Sequence, residues 1–410
     1  MTLAELRRWG PATRRATPPL LRDRPSGQER LLYGGLGLLA VIGLLSPGRF
    51  SAVPAQTVLE VVFVLVALMG IGRMTPAGTV LTGVGAGYVV LKALVLVFFS
   101  SASAVDFLQA YKAFVYVALL GALVGSGVFD RARLARFTTF LVVVFLVKYG
   151  YSAVLGLADR PGVYLENNFE LVMLLGLFLL ADPHLGSRRG WVLGALVVIV
   201  LLSGSRSAAL GLLVVVLFLD RRTGPRAWPL LVARVALVVG AAAAVFLGRA
   251  QFDAGARLDR LNFLDTFRYE VQDWSVLEWL LGSPPLTPLT PGSCQSLSYY
   301  TPLFSSTDPG VCYSVILHSY VLRVVFDHGL LGMVLLTGLI WYGLRRSGTG
   351  RRETLALLTL IWVSGLSVSA FNNVFSAVVL AVAMGSVYDE QVARRGRRHR
   401  PLLRDRRARL

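Results

Sequence analysis

The chain has 410 residues, of which 55% are hydrophobic and 16% charged, and its mean hydropathy is +0.64. Soluble domains carry about 25% charged residues, so an ordinary soluble globular protein is excluded. The net charge of +18 does not mark a nucleic-acid binder, because the basic residues crowd the N-terminus, the tail RRGRRHRPLLRDRRARL and short turns between apolar runs.

Residues 1–30 are polar and rich in Arg and Pro. They lack the apolar core and small-residue cleavage site of a secretory signal and read as a disordered, basic cytoplasmic leader. Apolar runs near the roughly 20 residues that a membrane helix needs follow at 31–46, 52–72, 77–99, 106–127, 137–157, 166–181, 190–203, 207–219 and 229–248. Three more lie at 315–343, 354–370 and 373–388. The pattern predicts an all-α, polytopic helical membrane protein of about twelve transmembrane helices. Nine fall within 31–248 and three within 315–388, with one large external, periplasmic loop at 249–314 and a basic cytoplasmic tail at 389–410. The turns DRARLAR, DPHLGSRRG, DRRTGPR and RRSGTGRR would share the cytoplasmic side with both termini, whereas the long loop carries four Arg against seven acids. That asymmetry obeys the positive-inside rule, and the tail can also touch anionic lipid.

The long loop holds both cysteines, Cys294 and Cys312. Two cysteines confined to one exported loop predict a disulfide rather than two free thiols. Residues 257–281 read as a single amphipathic helix lying on the outer membrane surface, with Leu258, Leu261, Leu264, Phe267, Val271 and Trp274 on its apolar stripe. Arg257, Arg260 and Arg268 fall within about 80° of one another on such a helix. Snorkelling to lipid head groups and docking of a diphosphate account for that triplet equally well.

Three further polar sites sit at predicted external helix ends. In LLSGSRSAAL, Arg206 presents a guanidinium fork suited to phosphate oxygens, or simply caps a turn. In LHSYVLRVVFDHGLLG, His318 could move a proton on a sugar hydroxyl, or make a structural hydrogen bond. Gly329 lies eleven residues on, three turns along one helix and nearly on the His318 face, with Gly332 close to it. The two glycines would let a neighbouring helix or a lipid chain pack beneath the histidine. Arg323 and Asp327 stand four apart and can pair inside the membrane. In DRPGVYLENN, Arg160, Glu166 and Asn168 are glycan-binding candidates or helix caps. Lys92, Lys112, Lys148 and Arg234 lie in or near spans, where a cation needs a partner or a cavity. The sequence has no Walker loop, no GxSxG elbow and no metal-ligand spacing, so neither a cofactor nor a metal is expected.

Together these motifs resemble the O-antigen ligase and O-antigen polymerase superfamily of bacterial membrane glycosyltransferases. The ligases share His, then Asn, Ser or Gln, nine residues, Gly, two residues and a small residue. Here that is His318-Ser319, Gly329 and Gly332. They also share Arg, three residues and Leu, here Arg206 and Leu210, and a large loop, here with GSPP at 282–285. The resemblance implies a bacterial inner-membrane enzyme working at the periplasmic face without metal or nucleotide. It would transfer a glycan from an undecaprenyl-diphosphate carrier to a hydroxyl on a lipid or glycan acceptor. Arg206 and His318 would be catalytic, and Arg206 with Arg257, Arg260 and Arg268 would hold the donor diphosphate. A polymerase using the same donor, and a polysaccharide or lipid flippase, are the alternatives.

Overall fold

The computed structural model describes residues 24–48, 51–99, 103–158, 160–219 and 259–386, with isolated helical positions between 229 and 240. Most of the predicted leader, the span at 229–248 with Arg234, Asp159, Arg257, the Arg260 side chain and the basic tail at 389–410 lie outside the described residues.

The described chain is helical, without a strand; one isolated extended pairing joins Phe129 to Ser386. Helix α1 spans Gly27–Leu45, α2 Ala55–Leu68, α3 Pro76–Phe99 and α4 Ala104–Leu120. Next come α5 at Arg131–Val154, α6 at Asn167–Ala181, α7 at Arg189–Ser203 and α8 at Arg206–Leu219. The loop region contributes three short helices, α9 at Asp259–Glu270, α10 at Val276–Leu281 and α11 at Pro291–Ser296. The chain then forms α12 at Tyr320–Ser347, α13 at Arg351–Gly365 and α14 at Val374–Gly385. Among the described residues seven helices, counted with the short 3-10 turns that extend some of them, are long and apolar enough to cross a membrane, namely α1 to α5, α7 and α12, while α8 and α14 are shorter apolar helices. The protein is a multi-pass helical membrane protein.

Helix α1 begins four residues before the predicted leader ends. Ser26 caps it by accepting the Glu29 N–H at 3.0 Å, and Gln28 and Glu29 are already buried. The signal was present in the sequence as Ser26-x-x-Glu29.

Two helices, α6 and α14, form the centre. Nearly every residue of α6 and all of α14 are buried, as expected of helices apolar on all faces. Gly176 of α6 lies so close to Val379 of α14 that a Cβ there would stand 2.7 Å from Cγ1, so the glycine sets the spacing. The outer helices turn Leu, Val and Phe outward, as α3 does with Val90, Leu91, Leu94, Val97 and Phe98.

The ends of the bundle differ in chemistry. At one end arginines tie the turns together: Arg133 to Glu29 at 2.9 Å, Arg131 to Glu353 at 2.7 Å, and Arg189 to Asp182 at 2.6 Å. The opposite end carries the region from α9 to residue 317. There Lys148 donates to the carbonyls of Ser46 and Gly48, Asn167 to Ser203 O at 2.9 Å, and Asn372 to Gln109 O at 3.0 Å. Ser305 fastens the long loop to this end through Asp106 at 2.7 Å.

Two predicted helices are broken. The amphipathic helix expected over 257–281 divides at 271–275, because Ser275 and Glu278 form a capping box that starts α10. Of its predicted lipid-facing stripe, Phe267 and Val271 are buried inside the protein. The expected helix from His318 through Gly329 is interrupted twice. His318 precedes α12, and Gly329 breaks it with φ +66° and ψ −177°, a conformation essentially restricted to glycine. The two residues therefore do not share a helix face. What packs against Gly329 is the backbone at Leu280 and Gly282, and Gly332 packs beneath His328 rather than His318.

Candidate functional site

His318 sits at the centre of a tight turn in which the Ser319 N–H points back to Leu317 O. Its φ is +39° and ψ −36°, a rare backbone for a residue with a Cβ. Such a conformation persists only where the surroundings impose it. The imposing contacts are buried and polar. Four residues upstream, Ser314 donates to Asp327 Oδ2 at 2.7 Å. Ser369 donates to His318 O at 3.5 Å and accepts from Arg323 Nη1 at 3.3 Å. Arg323 also donates to Gln109 O at 2.7 Å and lies 3.7 Å from Asp327, so the expected pair exists. Ser319 reaches Gly365 O, at the end of α13, at 3.4 Å. The half-buried imidazole packs on Tyr300 and on Phe263 of α9, with ring centroids 4.4 and 5.7 Å apart.

Arg206 is the first residue of α8, just after Gly204 closes α7 in a left-handed conformation. A cation at the positive end of a helix is disfavoured on its own. Together with the positive end of the helix, such a guanidinium suits an anion. The turn is held from α6. Asn168 Oδ1 accepts from Ser205 Oγ at 2.5 Å and Ser207 Oγ at 3.0 Å, and Asn168 Nδ2 donates to Glu166 Oε1 at 2.8 Å. Two stretches read separately in the sequence, SGSRS and LENN, are thus one structure, with Glu166 and Asn168 bracing the Arg206 turn. Arg160 is half-buried in the preceding loop. That loop is itself moulded around Glu170, whose buried carboxylate accepts the N–H groups of Val163, Tyr164 and Leu165 and the Tyr149 hydroxyl. We expect Asn168→Ala to cost about 1–3 kcal/mol in a detergent melt by leaving Ser205 and Ser207 without their acceptor. No change in the melt would remove Asn168 from this role.

Arg206 and His318 lie at the same end of the bundle. Helices α8 and α13 run antiparallel: Arg352 at the start of α13 donates to Leu217 O near the end of α8 at 3.5 Å, and Gly211 faces Leu360. Five residues from that contact, Arg206 and Gly365 are level, and Gly365 carries the Ser319 contact. The two candidates stand on either side of the C-terminus of α13.

The arginine triplet fares differently. Helix α9 presents Phe263 to His318, while Arg268, about 140° further round, is 70% exposed with its guanidinium 3.9 Å from Asp265. Arg268 therefore does not join His318. Arg260 lies one turn before Phe263 in sequence.

A frame of one disulfide and several side-chain hydrogen bonds leads up to the histidine. Cys294 and Cys312 are bonded, with Cα atoms 5.6 Å apart. Glu270 at the end of α9 accepts from Thr290 and Ser293, which flank the start of α11. The frame runs from α9 through α11 and the disulfide to the turn before His318. Burial raises the Tyr313 hydroxyl above its ordinary pKa, next to that bond. Replacing both cysteines with serine is expected to lower stability by about 2–5 kcal/mol. A melt of the purified double variant matching wild type would show that the bond is dispensable.

The partners of several polar groups escape a sequence reading. Lys112 pairs with Glu60 at 2.8 Å, Lys92 donates to Asp327 O at 3.2 Å, and Tyr88 OH lies 2.9 Å from His328 Nδ1. Comparison with protein-family models, curated proteins and solved structures finds no match.

Proposed function

We propose that this protein is an O-antigen ligase-like membrane glycosyltransferase, acting at the periplasmic face of a bacterial inner membrane. The arginine-tied end faces the cytoplasm in this reading, with both termini there, as the positive-inside rule requires. Leu219 and Phe263 belong to opposite ends, which accords with the span expected at 229–248 and a total of twelve.

The single observation that carries the proposal is that Arg206, at the N-terminus of α8, and His318, held in a strained turn, flank the same end of α13. The donor is a glycan on undecaprenyl diphosphate. The acceptor hydroxyl of a lipid or glycan forms a bond to the anomeric carbon as that carbon's bond to the diphosphate oxygen breaks. His318 takes the hydroxyl proton. Undecaprenyl diphosphate leaves with its negative charge held by Arg206 and the α8 N–H groups. A diphosphate is already a stable leaving group, so this route needs no metal. Arg257 and Arg260 are further candidates for the diphosphate.

A polymerase shares this chemistry and differs only in its acceptor. A flippase would need a polar path through the bundle. The cations buried in the described helices are instead satisfied locally, Lys112 by Glu60, Lys148 by Ser46 and Gly48, and Arg323 by Gln109 and Asp327.

The test is a reconstituted assay with lipid-linked oligosaccharide, a panel of lipid and glycan acceptors, and a chelator throughout. Transfer that survives the chelator supports the reading. Movement of the lipid-linked glycan between leaflets without any transferred product overturns it.

A further inference from the structure

Helix α10 belongs to the loop region, yet it is seated against a membrane-crossing helix. Ser283, just past its end, donates both N–H and hydroxyl to Phe326 O at 2.8 and 2.9 Å, and Trp274, just before its start, packs on the Phe326 ring at 5.5 Å. The break at Gly329 makes this possible. It frees the Phe326 carbonyl for Ser283 and the Asp327 carbonyl for Lys92. Gly282, at φ +79°, lets the two backbones meet; a Cβ there would stand 2.6 Å from the N of both His328 and Gly329. Irregular backbone at membrane depth is tolerated only when its polar groups are satisfied in this way.

Two independent rulers give the depth of this contact. Phe326 to Gly329 lie six to nine residues into α12, about 9–14 Å along its axis. Lys92, which reaches Asp327 O, lies seven residues inside the end of α3, about 10 Å. Its neighbours Leu91, Leu94, Val97 and Phe98 are the outward-facing apolar side chains of α3. Helix α10 is therefore level with a surface that lipid covers.

The helix is also two-faced. At 100° per residue, Val276, Leu280, Leu277 and Leu281 occupy an arc of about 140°. They are 77%, 37%, 64% and 49% exposed, respectively. Trp279 turns the other way, onto Trp274 and Phe267. Glu278 lies beyond the apolar arc, and its carboxylate folds back to the Ser275 N–H and hydroxyl at 2.7 and 2.8 Å. Those bonds hold the carboxyl below its usual pKa.

We infer that α10 is an interfacial helix: its Val276, Leu277, Leu280 and Leu281 face is immersed in the acyl chains of the bilayer. A helix of this kind buries its apolar face about 5–10 Å into the head-group and acyl boundary, close to the shallower end of what the two rulers give. Its consequence reaches His318. Trp279 of this membrane-seated unit, backed by Trp274, packs on Phe267, and the same α9 lays Phe263 on the imidazole. The lipid surface thereby sets where the cover over His318 sits. The inference rests on the membrane reading and not on the transfer reaction.

Both native cysteines are disulfide-bonded, so a single introduced cysteine can be labelled cleanly. Full-length Leu277→Cys, Leu281→Cys and the α9 control Asp265→Cys are placed in phospholipid nanodiscs. A charged maleimide is expected to react at least about tenfold more slowly at 277 and 281 than at 265. An environment-sensitive fluorophore, attached in detergent before reconstitution, is expected to be quenched at 277 and 281 by lipids brominated on the acyl chain, and not at 265. Equal maleimide rates at all three positions would overturn the inference. Slow reaction without quenching would also overturn it, since protein would then be the cover. These readouts stand whether or not the protein transfers glycans.

Discussion

His318→Ala is expected to lower the rate of glycan transfer by about 10²–10⁴-fold, the range a positioned general base supplies. Arg206→Ala is expected to cost about 10²–10³-fold, the scale for removing one stabiliser of developing charge. The two losses should differ in kind. In the proposed mechanism Arg206 holds the diphosphate before and during departure, so its replacement is expected to raise KM as well as lower kcat. In the same mechanism His318 acts only as the proton leaves, so kcat and kcat/KM are expected to fall together. Arg206→Lys separates charge from shape, because an ammonium keeps the charge and loses the planar fork. Single-turnover transfer by purified variants with matched melts measures all of this. Wild-type rates in either alanine variant would remove that residue from the chemistry.

What the sequence could and could not show follows from the range of each interaction. Local rules were legible. Ser26 with Glu29 and Ser275 with Glu278 each announce a helix start, and apolar runs announce most spans. Reading past those two caps put the leader boundary four residues late and fused α9 with α10. The long-range partners were not legible. Lys112 finds Glu60 52 residues away, and Lys92 finds Asp327 O 235 residues away. No local pattern names such partners. The His318 motif was visible as spacing but misread as one helix face, because a positive φ at a histidine has no signature in composition. Gly329 was a partial signal, since a glycine inside an apolar helix weakens it by about 1 kcal/mol against alanine. The union of SGSRS with LENN through Asn168 depends on how α6 meets α8, which only packing decides.

The Arg323–Asp327 pair offers a second large effect, one that separates support of the fold from chemistry. Both side chains are nearly fully buried, at 2% and 4% exposure, in a helix long and apolar enough to span a membrane. Asp327→Leu leaves the Arg323 guanidinium without its carboxylate and Ser314 without its acceptor. A buried charge stripped of its partner costs about 3–5 kcal/mol. Arg323→Met strands Asp327 in the same way and also releases Ser369, which touches the His318 carbonyl. The double variant Arg323→Met with Asp327→Leu removes both charges. It is expected to recover at least half of the melting temperature lost by either single change, because no ion remains to be desolvated. It is not expected to recover transfer, since the turn carrying His318 would still lack the ties at Ser314 and Ser369. Stability restored together with full activity would show that the pair serves the fold alone. Stability restored without activity would mean that the cost of two charges in an apolar helix is met because they hold one histidine in a conformation it would otherwise leave.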